Sequence, residues 1–305
     1  MRKGRPHVRY DCIVVGGGIA GLQAAIQLGR YRHRVLVIDS NNGRSSLCRS
    51  YQNLLGWPNG ISGQELRDIG RRQAETLGVK FVSDTVNEGN RDDDCFRLSC
   101  RSGSHYECNR LLISTGISDN IPMLPQVREC LGVTVYVCPD CDGYEITNRR
   151  TLVLGAGNVG ANMALTLTYW SRDLVYINHE QTLVDASLLD QLRQQSIEYI
   201  AEPIVEVITD GVNIRGVVLQ SGSRVTGERG FIAFGGNVVH SALAKQLGVE
   251  LLENKHILVD PRTKMTNVPF VWAAGDVVAH SEQVSIAMGE GSQAAIWIHR
   301  SLLSE

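Results

Sequence analysis

The sequence predicts an α/β protein with two Rossmann-like dinucleotide-binding domains, one inserted into the other. Two glycine-rich turns of the pattern G-x-G-x-x-G, at residues 16–21 and 155–160, support this prediction. Each turn lies between a short apolar run and an amphipathic stretch, which is the order of a β-α-β unit. Alternating short runs and a further apolar strand follow each unit, so the same three-layer ββα architecture is expected twice.

The first β-α-β unit opens the chain. Residues 11–15 are apolar and rich in valine and isoleucine, which predicts a buried strand. Residues 19–31 carry helical periodicity, and residues 34–39 form the next apolar strand. A lone glycine turn is a weak signal, but the strand, the helix and a terminal acid together make it a strong one.

The residues of the first turn have separate physical roles. Gly16 allows the tight turn, Gly18 lets the backbone approach a pyrophosphate, and Gly21 packs the helix on the strand. The helix N-terminus then faces the phosphate charge. Asp39 lies 23 residues after Gly16, the separation expected of an acid that binds a ribose hydroxyl.

The remainder of the first half reads as a loop, a helix and short strands. Residues 43–63 are polar, and residues 61–77 are predicted to be helical. Alternation over residues 79–108 predicts a small antiparallel meander. A strand at 111–113 then ends in the tripeptide Ser-Thr-Gly.

The second half repeats this order. A second β-α-β unit is predicted at residues 150–154, 158–170 and 174–178 around the glycine turn of Gly155, Gly157 and Gly160. Further elements are expected at 183–195 (helix), 204–208, 212–219 and 224–234 (meander), 268–275 (strand) and 285–303 (helix).

The turn residues divide the chain into two domains. Pro122 and Pro125 mark a linker, and Gly235 with Gly236 indicates a return hinge. We therefore expect a discontinuous domain of residues 1–119 and 238–305. The inserted domain is expected to span residues 120–237.

Composition and charge exclude several functional classes. The chain has 305 residues, 43% of them hydrophobic, and a formal net charge of −2, so no global field attracts nucleic acid or a membrane. The apolar run after the basic N-terminus is too short for a signal peptide or a transmembrane helix. We expect a cytoplasmic protein.

Among the eight cysteines, only Cys138 and Cys141 have redox spacing. Two cysteines separated by two residues can close a small disulfide ring or release two thiols, and Asp142 follows at once. A zinc site is the alternative, but it needs four ligands and no second pair is present, so no metal is expected. Cys12, Cys95, Cys100, Cys108 and Cys130 are expected to be buried small hydrophobes.

Several segments together resemble the low-molecular-weight flavin thioredoxin reductases over nearly the whole chain. The matching segments are 16–21, 53–63 (NLLGWPNGISG), 114–116, 138–143, 155–160 and 273–291 (AAGDVVAHSEQVSIAMGEG). The resemblance implies a homodimer whose subunit has a discontinuous FAD domain and an inserted pyridine-nucleotide-type domain. It also implies that one domain swings against the other, so that the thiols face either the flavin or the outside.

The resemblance also implies which residues hold FAD. Besides the first glycine turn, they are Asp39, Asn53, Thr115, Gly116, Gly275 and Asp276. Gln283 and Val284 should lie near the flavin ring. The helix expected from Ser285 would direct its positive N-terminal end at the ring, which favours the anionic reduced flavin.

By the same resemblance, the two sulfurs have different roles. Cys141 is the flavin-facing sulfur, and Cys138 attacks the external disulfide as a thiolate. Asp142 would be the general acid/base that moves the proton. The alternative for Asp142 is a loop acid that caps the turn at Gly143, and its position directly after Cys141 favours the catalytic interpretation.

The second fingerprint departs from the family at the residues that read NADPH. The 2′-phosphate calls for arginine or lysine, which the family supplies in a His-Arg-Arg run. Here the corresponding residues are Asn178, His179 and Glu180, and Glu180 would repel a phosphate but could accept ribose hydroxyls. NADPH is therefore not the expected donor. NADH, a second FAD in this domain, and a ferredoxin-type protein all stay open.

Three functional classes fit these motifs. The first is a reductase of a thioredoxin-like disulfide protein. The second is a dithiol oxidase that runs the same centre backwards and gives electrons to oxygen. Relatives of that kind tend to carry histidine after the second cysteine, so Asp142 favours the reductase. The third is a redox sensor without turnover, against which the intact cysteine pair and its acid argue.

Overall fold

The structure is a computed structural model that describes residues 8–92, 95–279 and 282–304. The basic N-terminus at residues 1–5 and two residues of the acidic run, Asp93 and Asp94, lie outside the described residues. No helix within the described ranges is long and apolar enough to cross a membrane.

The described residues form strands and helices in the following order. The strands are β1 Arg9–Val15, β2 Val35–Asp39, β3 Lys80–Ser83, β4 Val86–Asp92, β5 Cys95–Cys100, β6 His105–Ile113, β7 Ile117–Ser118, β8 Val135–Tyr136, β9 Thr151–Gly155, β10 Leu174–Asn178, β11 Glu198–Ile200, β12 Ile204–Asp210, β13 Asn213–Leu219, β14 Arg224–Thr226, β15 Arg229–Ala233, β16 Val238–Val239 and β17 Val271–Ala273. The helices are α1 Ile19–Arg30, α2 Gly63–Thr76, α3 Val127–Cys130, α4 Pro139–Asp142, α5 Gly157–Leu167, α6 Ala186–Gln194, α7 Ala242–Gln246 and α8 Val284–Leu303.

The chain packs into two compact units. Unit 1 contains residues 1–46, 63–118 and 238–305, and unit 2 contains residues 47–62 and 119–237. The loop 47–62 therefore packs with unit 2, whereas the sequence analysis included it in the discontinuous domain. The backbone of this loop lies against Gly132, since a Cβ on that glycine would meet the nitrogen of Arg49 at 2.6 Å.

Unit 1 is built on one mixed sheet of seven strands. The strand order is β3-β2-β1-β6-β5-β4, and β17 also pairs with β6. The strands β3, β2, β1, β6 and β17 run parallel to one another, while β5 pairs antiparallel with both β6 and β4. The expectation of an antiparallel meander over 79–108 is therefore wrong for β3, which extends the parallel sheet because its residues pair with β2.

Helices α1 and α8 cover one face of this sheet. Their contact is close because Gly291 faces the backbone of α1, where an added Cβ would lie 2.2 Å from the oxygen of Ala20. A buried cluster that includes Leu28 and Ile298 joins the helices to β1 and β2. On the other face, Phe96 and Leu98 pack in a second buried cluster.

Unit 2 is built on a parallel sheet of five strands with the order β11-β10-β9-β15-β8. A separate antiparallel sheet contains β12, β13 and β14. The strand expected at 224–234 is therefore two strands. The chain turns at Gly227, which lies so close to β9 that a Cβ would meet Leu152 at 2.5 Å, and β15 then pairs with β9.

The predicted fold class is confirmed. Both units are α/β, and each contains a parallel β-α-β unit with a glycine turn between its first strand and its helix. In both units that turn lies at the carboxyl edge of the parallel strands, which is where α/β sheets bind ligands.

Candidate functional site

The first glycine turn leaves open space at one glycine and none at the others. A Cβ on Gly16, whose φ is +105°, would meet the oxygen of Ser114 at 2.3 Å. A Cβ on Gly21 would meet the oxygen of Gly16 at 2.0 Å. At Gly18 no atom lies within 4 Å of that position, so this glycine offers the open approach that a pyrophosphate requires.

Asp39 ends β2 next to this turn and is paired with a cation that the sequence analysis did not identify. Nη2 of Arg67 donates to Oδ2 of Asp39 at 2.7 Å and to Oδ1 of Asn41 at 2.8 Å. A signal was available in the sequence. Arg67 stands at helical spacing among the small residues Gly63, Gly70 and Ala74, which form the buried face of α2.

The turn that contains Gly275 and Asp276 is held from α8 and from the loop before α2. The backbone N–H of Gly275, whose φ is +80°, donates to Oε2 of Glu290 at 2.9 Å. Glu290 is 6% exposed, and its Oε1 accepts from Nζ of Lys264 at 2.9 Å. Arg44 pairs with Asp276 at 3.5 Å and also with Glu282.

Thr115, Gly116, Gln283 and Val284 also lie in unit 1. The hydroxyl of Thr115 donates to the oxygen of His240 at 2.6 Å, and Gly116 has a φ of +65°. Gln283 is the N-cap residue of α8 and Val284 its first residue, so this helix begins one residue earlier than expected. Asn53 is exposed and packs with unit 2, so the structure does not group it with Asp39.

The cysteine pair lies at the start of a single helical turn in unit 2. A disulfide joins Cys138 to Cys141, and Cys138 caps the four-residue helix α4. Its Sγ accepts a hydrogen bond from the backbone N–H of Cys141 at 3.2 Å, and Pro139 occupies the first helical position. Asp142 is the last residue of this turn. In the reduced state, the same N–H would stabilise a thiolate on Cys138.

An aromatic side chain fixes the segment that follows. Gly143 lies against the ring of Trp170, so that an added Cβ would meet the ring at 2.6 Å. Ile146 is fully buried, whereas Tyr144 is 78% exposed. The redox turn is therefore attached to the core of unit 2 through residues just after it, and the exposed tyrosine presents an apolar surface to solvent.

The second glycine turn is tightly packed. A Cβ on Gly155 would meet the oxygen of Ala233 at 2.5 Å, and one on Gly160 would meet the ring of Tyr176 at 2.3 Å. Gly157, whose φ is +51°, begins α5 and accepts a hydrogen bond from the hydroxyl of Tyr176 at 2.7 Å. These contacts match the strand–helix packing that the fingerprint predicts.

The side chains after β10 contact the second turn and one another. The amide of Asn178 bonds to the N–H of Gly157 at 3.1 Å. Asn158, in the first turn of α5, exchanges two hydrogen bonds with Asp185: its Nδ2 donates to the carboxylate at 2.8 Å, and its Oδ1 accepts from the Asp185 N–H at 2.9 Å. A carboxylate therefore lies next to the N-terminus at which a phosphate would bind.

Neither of the two residues that follow β10, His179 and Glu180, supplies a positive charge for a phosphate. Nδ1 of His179 accepts the backbone N–H of Ile204 at 2.8 Å. Burial lowers the pKa of His179, which keeps the ring neutral at pH 7, although Glu180 acts in the opposite direction. Glu180 itself is exposed.

The other six cysteines are not in disulfides. Cys12, Cys100, Cys108 and Cys130 are buried as expected, while Cys95 is only half-buried. Burial raises the pKa of Cys100 to about 11 and that of Cys12 still further. At neutral pH these thiols are protonated, so they are poor nucleophiles. Among the described residues, no group of three or more His, Cys, Asp or Glu could hold a metal ion.

Comparison with known proteins identifies the family. The model for the pyridine nucleotide-disulphide oxidoreductases matches residues 10–291. The chain belongs to this family. A thioredoxin reductase of Rickettsia bellii is 28% identical over 297 residues, which are 93% of this chain and 95% of the relative.

Solved structures have a similar fold. The crystal structure of HlmI superposes with a TM-score of 0.87 at 30% identity, covering 99% of this chain and 95% of HlmI. The crystal structure of an oxidoreductase from Agrobacterium tumefaciens gives a TM-score of 0.81 at 27% identity, covering 97% and 99%. The chain is thus an oxidoreductase of this family that resembles thioredoxin reductases, for which FAD is the expected cofactor.

Proposed function

We propose that the protein is a FAD-dependent disulfide oxidoreductase that passes electrons from flavin through Cys138 and Cys141 to a disulfide of a thioredoxin-like protein. The observation that carries the proposal is the disulfide at the start of α4, with Asp142 directly after it. Relatives named thioredoxin reductase, such as that of Rickettsia bellii, support the choice of acceptor.

The residues of unit 1 fit the cofactor. Gly18 leaves open space beside the N-terminus of α1, and Asp39 ends the adjoining strand where a ribose would bind. Thr115, Gly116, Gly275, Asp276, Gln283 and Val284 are proposed as further contacts, and Asn53 as a contact from the loop 47–62. When bound, FAD supplies the two-electron chemistry that reduces the cysteine pair.

The cysteine pair carries the exchange with the acceptor. The reduced Cys138, as a thiolate, attacks one sulfur of the external disulfide, forms a mixed disulfide and releases the other sulfur as a thiolate. Cys141 then attacks Cys138, restores the internal disulfide and releases the second acceptor sulfur. Two electrons leave the pair, and the acceptor disulfide becomes a dithiol after taking up two protons.

Asp142 is proposed to move one of these protons. Asp142 directly follows Cys141 in the sequence and belongs to the same helical turn. The sulfur of Cys141 must lose and regain a proton, and the neighbouring carboxyl group is the proposed carrier of that proton. The alternative is a purely structural acid at the end of α4. A change in the pH dependence of turnover in Asp142→Asn would distinguish the two.

The donor is proposed not to be NADPH. Asp185 lies beside the first turn of α5, Glu180 follows β10, and His179 is kept neutral by burial. The two acids oppose the binding of the additional 2′-phosphate, and none of the three residues supplies the arginine pair that a 2′-phosphate prefers. NADH, a second FAD in unit 2 and a ferredoxin-type protein remain the candidate donors.

One anaerobic experiment tests both halves of the proposal. The purified yellow protein is photoreduced and then mixed with oxidised thioredoxin, while flavin absorbance is followed. Reoxidation by thioredoxin supports the proposed acceptor, and failure with every protein disulfide tried overturns it. The donors are then tested in turn on the oxidised protein.

A second function is favoured by the same acids in unit 2. If no pyridine nucleotide binds there, the natural source of electrons is a dithiol that reacts with the Cys138–Cys141 disulfide, and oxygen then accepts the two electrons and becomes hydrogen peroxide. Asp142 stands where oxidases of this kind tend to carry histidine, so it favours the reductase. Peroxide formation in air with a dithiol as the only donor would select the oxidase.

The assembly and the location are also proposals. A groove of α1, α2 and α8 in unit 1 is lined in part by the half-buried apolar residues Ile26, Ile69 and Met288, which supports a homodimer. Six cysteines are not in disulfides, which supports a cytoplasmic location. Sedimentation velocity and cell fractionation test these two points.

A further inference from the structure

Arg67 is a buried cation next to the acid that ends β2. Its side chain is 6% exposed, and its Nη2 bridges Asp39 and Asn41. Arg71, one turn later on the same helix, is 54% exposed and pairs with the surface residue Glu75. Burial is therefore particular to Arg67 and is not general to the basic residues of α2.

Two of its three guanidinium nitrogens lack acceptors. Nε and Nη1 are enclosed, and neither bonds to any residue within the described part of the chain. A buried donor without an acceptor costs roughly 1–3 kcal/mol, and more when it is charged. Such groups are rare in native structures. A ligand that brings oxygen acceptors to this place would recover that free energy.

Packing alone does not call for an arginine here. The other buried residues of α2 are small or apolar: Gly63, Leu66, Gly70 and Ala74. A buried ion pair is, as a rule, no more stabilising than apolar residues of similar volume. An arginine at this position, with only one nitrogen engaged, is better explained by recognition.

We propose that Arg67 binds the ADP half of the dinucleotide together with Asp39. The inference rests on the proposed function, namely that unit 1 holds FAD. Asp39 can accept hydrogen bonds from ribose hydroxyls, while Nε and Nη1 of Arg67 donate to oxygens of the ribose or the diphosphate after a small side-chain rotation. The guanidinium also offsets the charge of Asp39, which would otherwise repel the diphosphate.

The test compares FAD and ADP on full-length protein stripped of flavin. Affinity for FAD is measured by the quenching of its fluorescence, and ADP is titrated as a competitor. Arg67→Met retains length and apolar packing but removes all donors, so it should weaken FAD and ADP by the same factor of about tenfold or more. Arg71→Met, on the exposed side of α2, should change neither by more than about twofold.

The outcomes are decisive in both directions. Equal loss of FAD and ADP affinity supports the inference. Unchanged affinities in Arg67→Met would overturn it, as would a loss for FAD without a loss for ADP. If Arg67→Met does not fold, Arg67→Lys is compared instead, because lysine keeps the charge beside Asp39 but lacks the fork and should still bind both ligands more weakly. Wild-type protein that takes up no FAD would instead refute the proposed function.

Discussion

Oδ1 of Asn178 accepts a hydrogen bond from the backbone N–H of Gly157, and the two atoms lie 3.1 Å apart. Asn178 is 1% exposed, and its Nδ2 donates to the oxygen of Thr182 and to the hydroxyl of Tyr199. The side-chain amide of Asn178, the last residue of β10, therefore has all its hydrogen-bond partners here within unit 2. These hydrogen bonds hold the second glycine turn against the end of β10.

We predict that NADPH does not reduce the enzyme. Anaerobic mixing of the oxidised protein with NADPH should leave flavin absorbance unchanged, because Glu180 and Asp185 repel the additional phosphate. If NADH is the donor, Glu180→Gln should raise its KM, since the carboxylate that accepts ribose hydroxyls is lost. Glu228→Gln, which affects an exposed acid paired with Arg149, serves as the matched control. Rapid bleaching by micromolar NADPH would refute the prediction.

Cys138→Ser should stop disulfide reduction and leave flavin binding intact. Without the attacking sulfur no mixed disulfide can form, so turnover should fall by about 10³-fold or more. Flavin content and photoreduction should remain normal. Cys95→Ser replaces a half-buried free thiol and should retain activity. Full activity in Cys138→Ser would show that the pair is not the redox centre.

Asp142→Asn should lower kcat by about 10²-fold while the disulfide still forms, because general acid/base groups typically contribute 10²–10⁴-fold. The pH profile should also lose the limb that depends on a carboxylate. The measurement is steady-state turnover across pH, with Asp140→Asn on the same helical turn as control. A profile of unchanged shape in Asp142→Asn would assign this acid a structural role.

Gly18→Val should give a folded but colourless protein. Apart from its chain neighbours, no protein atom lies within 4 Å of a Cβ at this position, so the added side chain enters the space proposed for the pyrophosphate. Gly16→Val is less informative, since its Cβ would meet the oxygen of Ser114 at 2.3 Å and strain the fold. Gly43→Ala is the control, with its nearest contact at 3.8 Å. The ratio of flavin to protein absorbance decides, and a normal ratio in Gly18→Val would contradict the assignment.

Stability should fall as the pH drops below about 6.5, the ordinary pKa of histidine. Burial lowers the pKa of His33, and so does His299, whose Nδ1 lies 2.9 Å from Nε2 of His33, although Asp11 opposes both. In the window between the lowered and the ordinary pKa, the unfolded chain binds more protons than the folded one, so acid favours unfolding.

Replacing His33 by Gln should therefore reduce this pH dependence. Urea midpoints are compared at about pH 7.5 and about pH 5.5, on either side of the ordinary histidine pKa. His105→Gln, at an exposed histidine bonded to Ser99, is the control. An identical loss of stability in the His33 variant and in the wild type would show that other groups cause it.

Periodicity and glycine patterns predicted the parallel cores well. The strand at 174–178 and the helix of α8 lie within one residue of their expected bounds. These elements are long or fully buried, so their residue patterns are set by local geometry. The parallel pairing of β3 was not predicted, because a strand of four residues carries too little pattern to specify its partner.

The site was predictable only where a motif carries its own geometry. The cysteine spacing identified the disulfide. The spacing of the small residues marks Arg67 as lying on the buried face of α2, but no local pattern specifies Asp39 as its partner. Glu290 was missed because its partner, Gly275, lies elsewhere in the chain, and such pairings have no local signature. The bond between Asn158 and Asp185 was missed for the same reason, since it joins the first turn of α5 to the residue that precedes α6.

The pairing of β17 with β6, and the packing of α8 on α1, have a consequence for biosynthesis. The sheet of unit 1 can be completed only after the last elements of the chain have left the ribosome, whereas the parallel sheet of unit 2 is made of residues 135–233. Unit 2 can therefore fold first, while the N-terminal part of unit 1 keeps apolar surface exposed until the C-terminal part has been synthesised. A nascent chain halted before residue 271 would be a client for chaperones and not a flavoprotein.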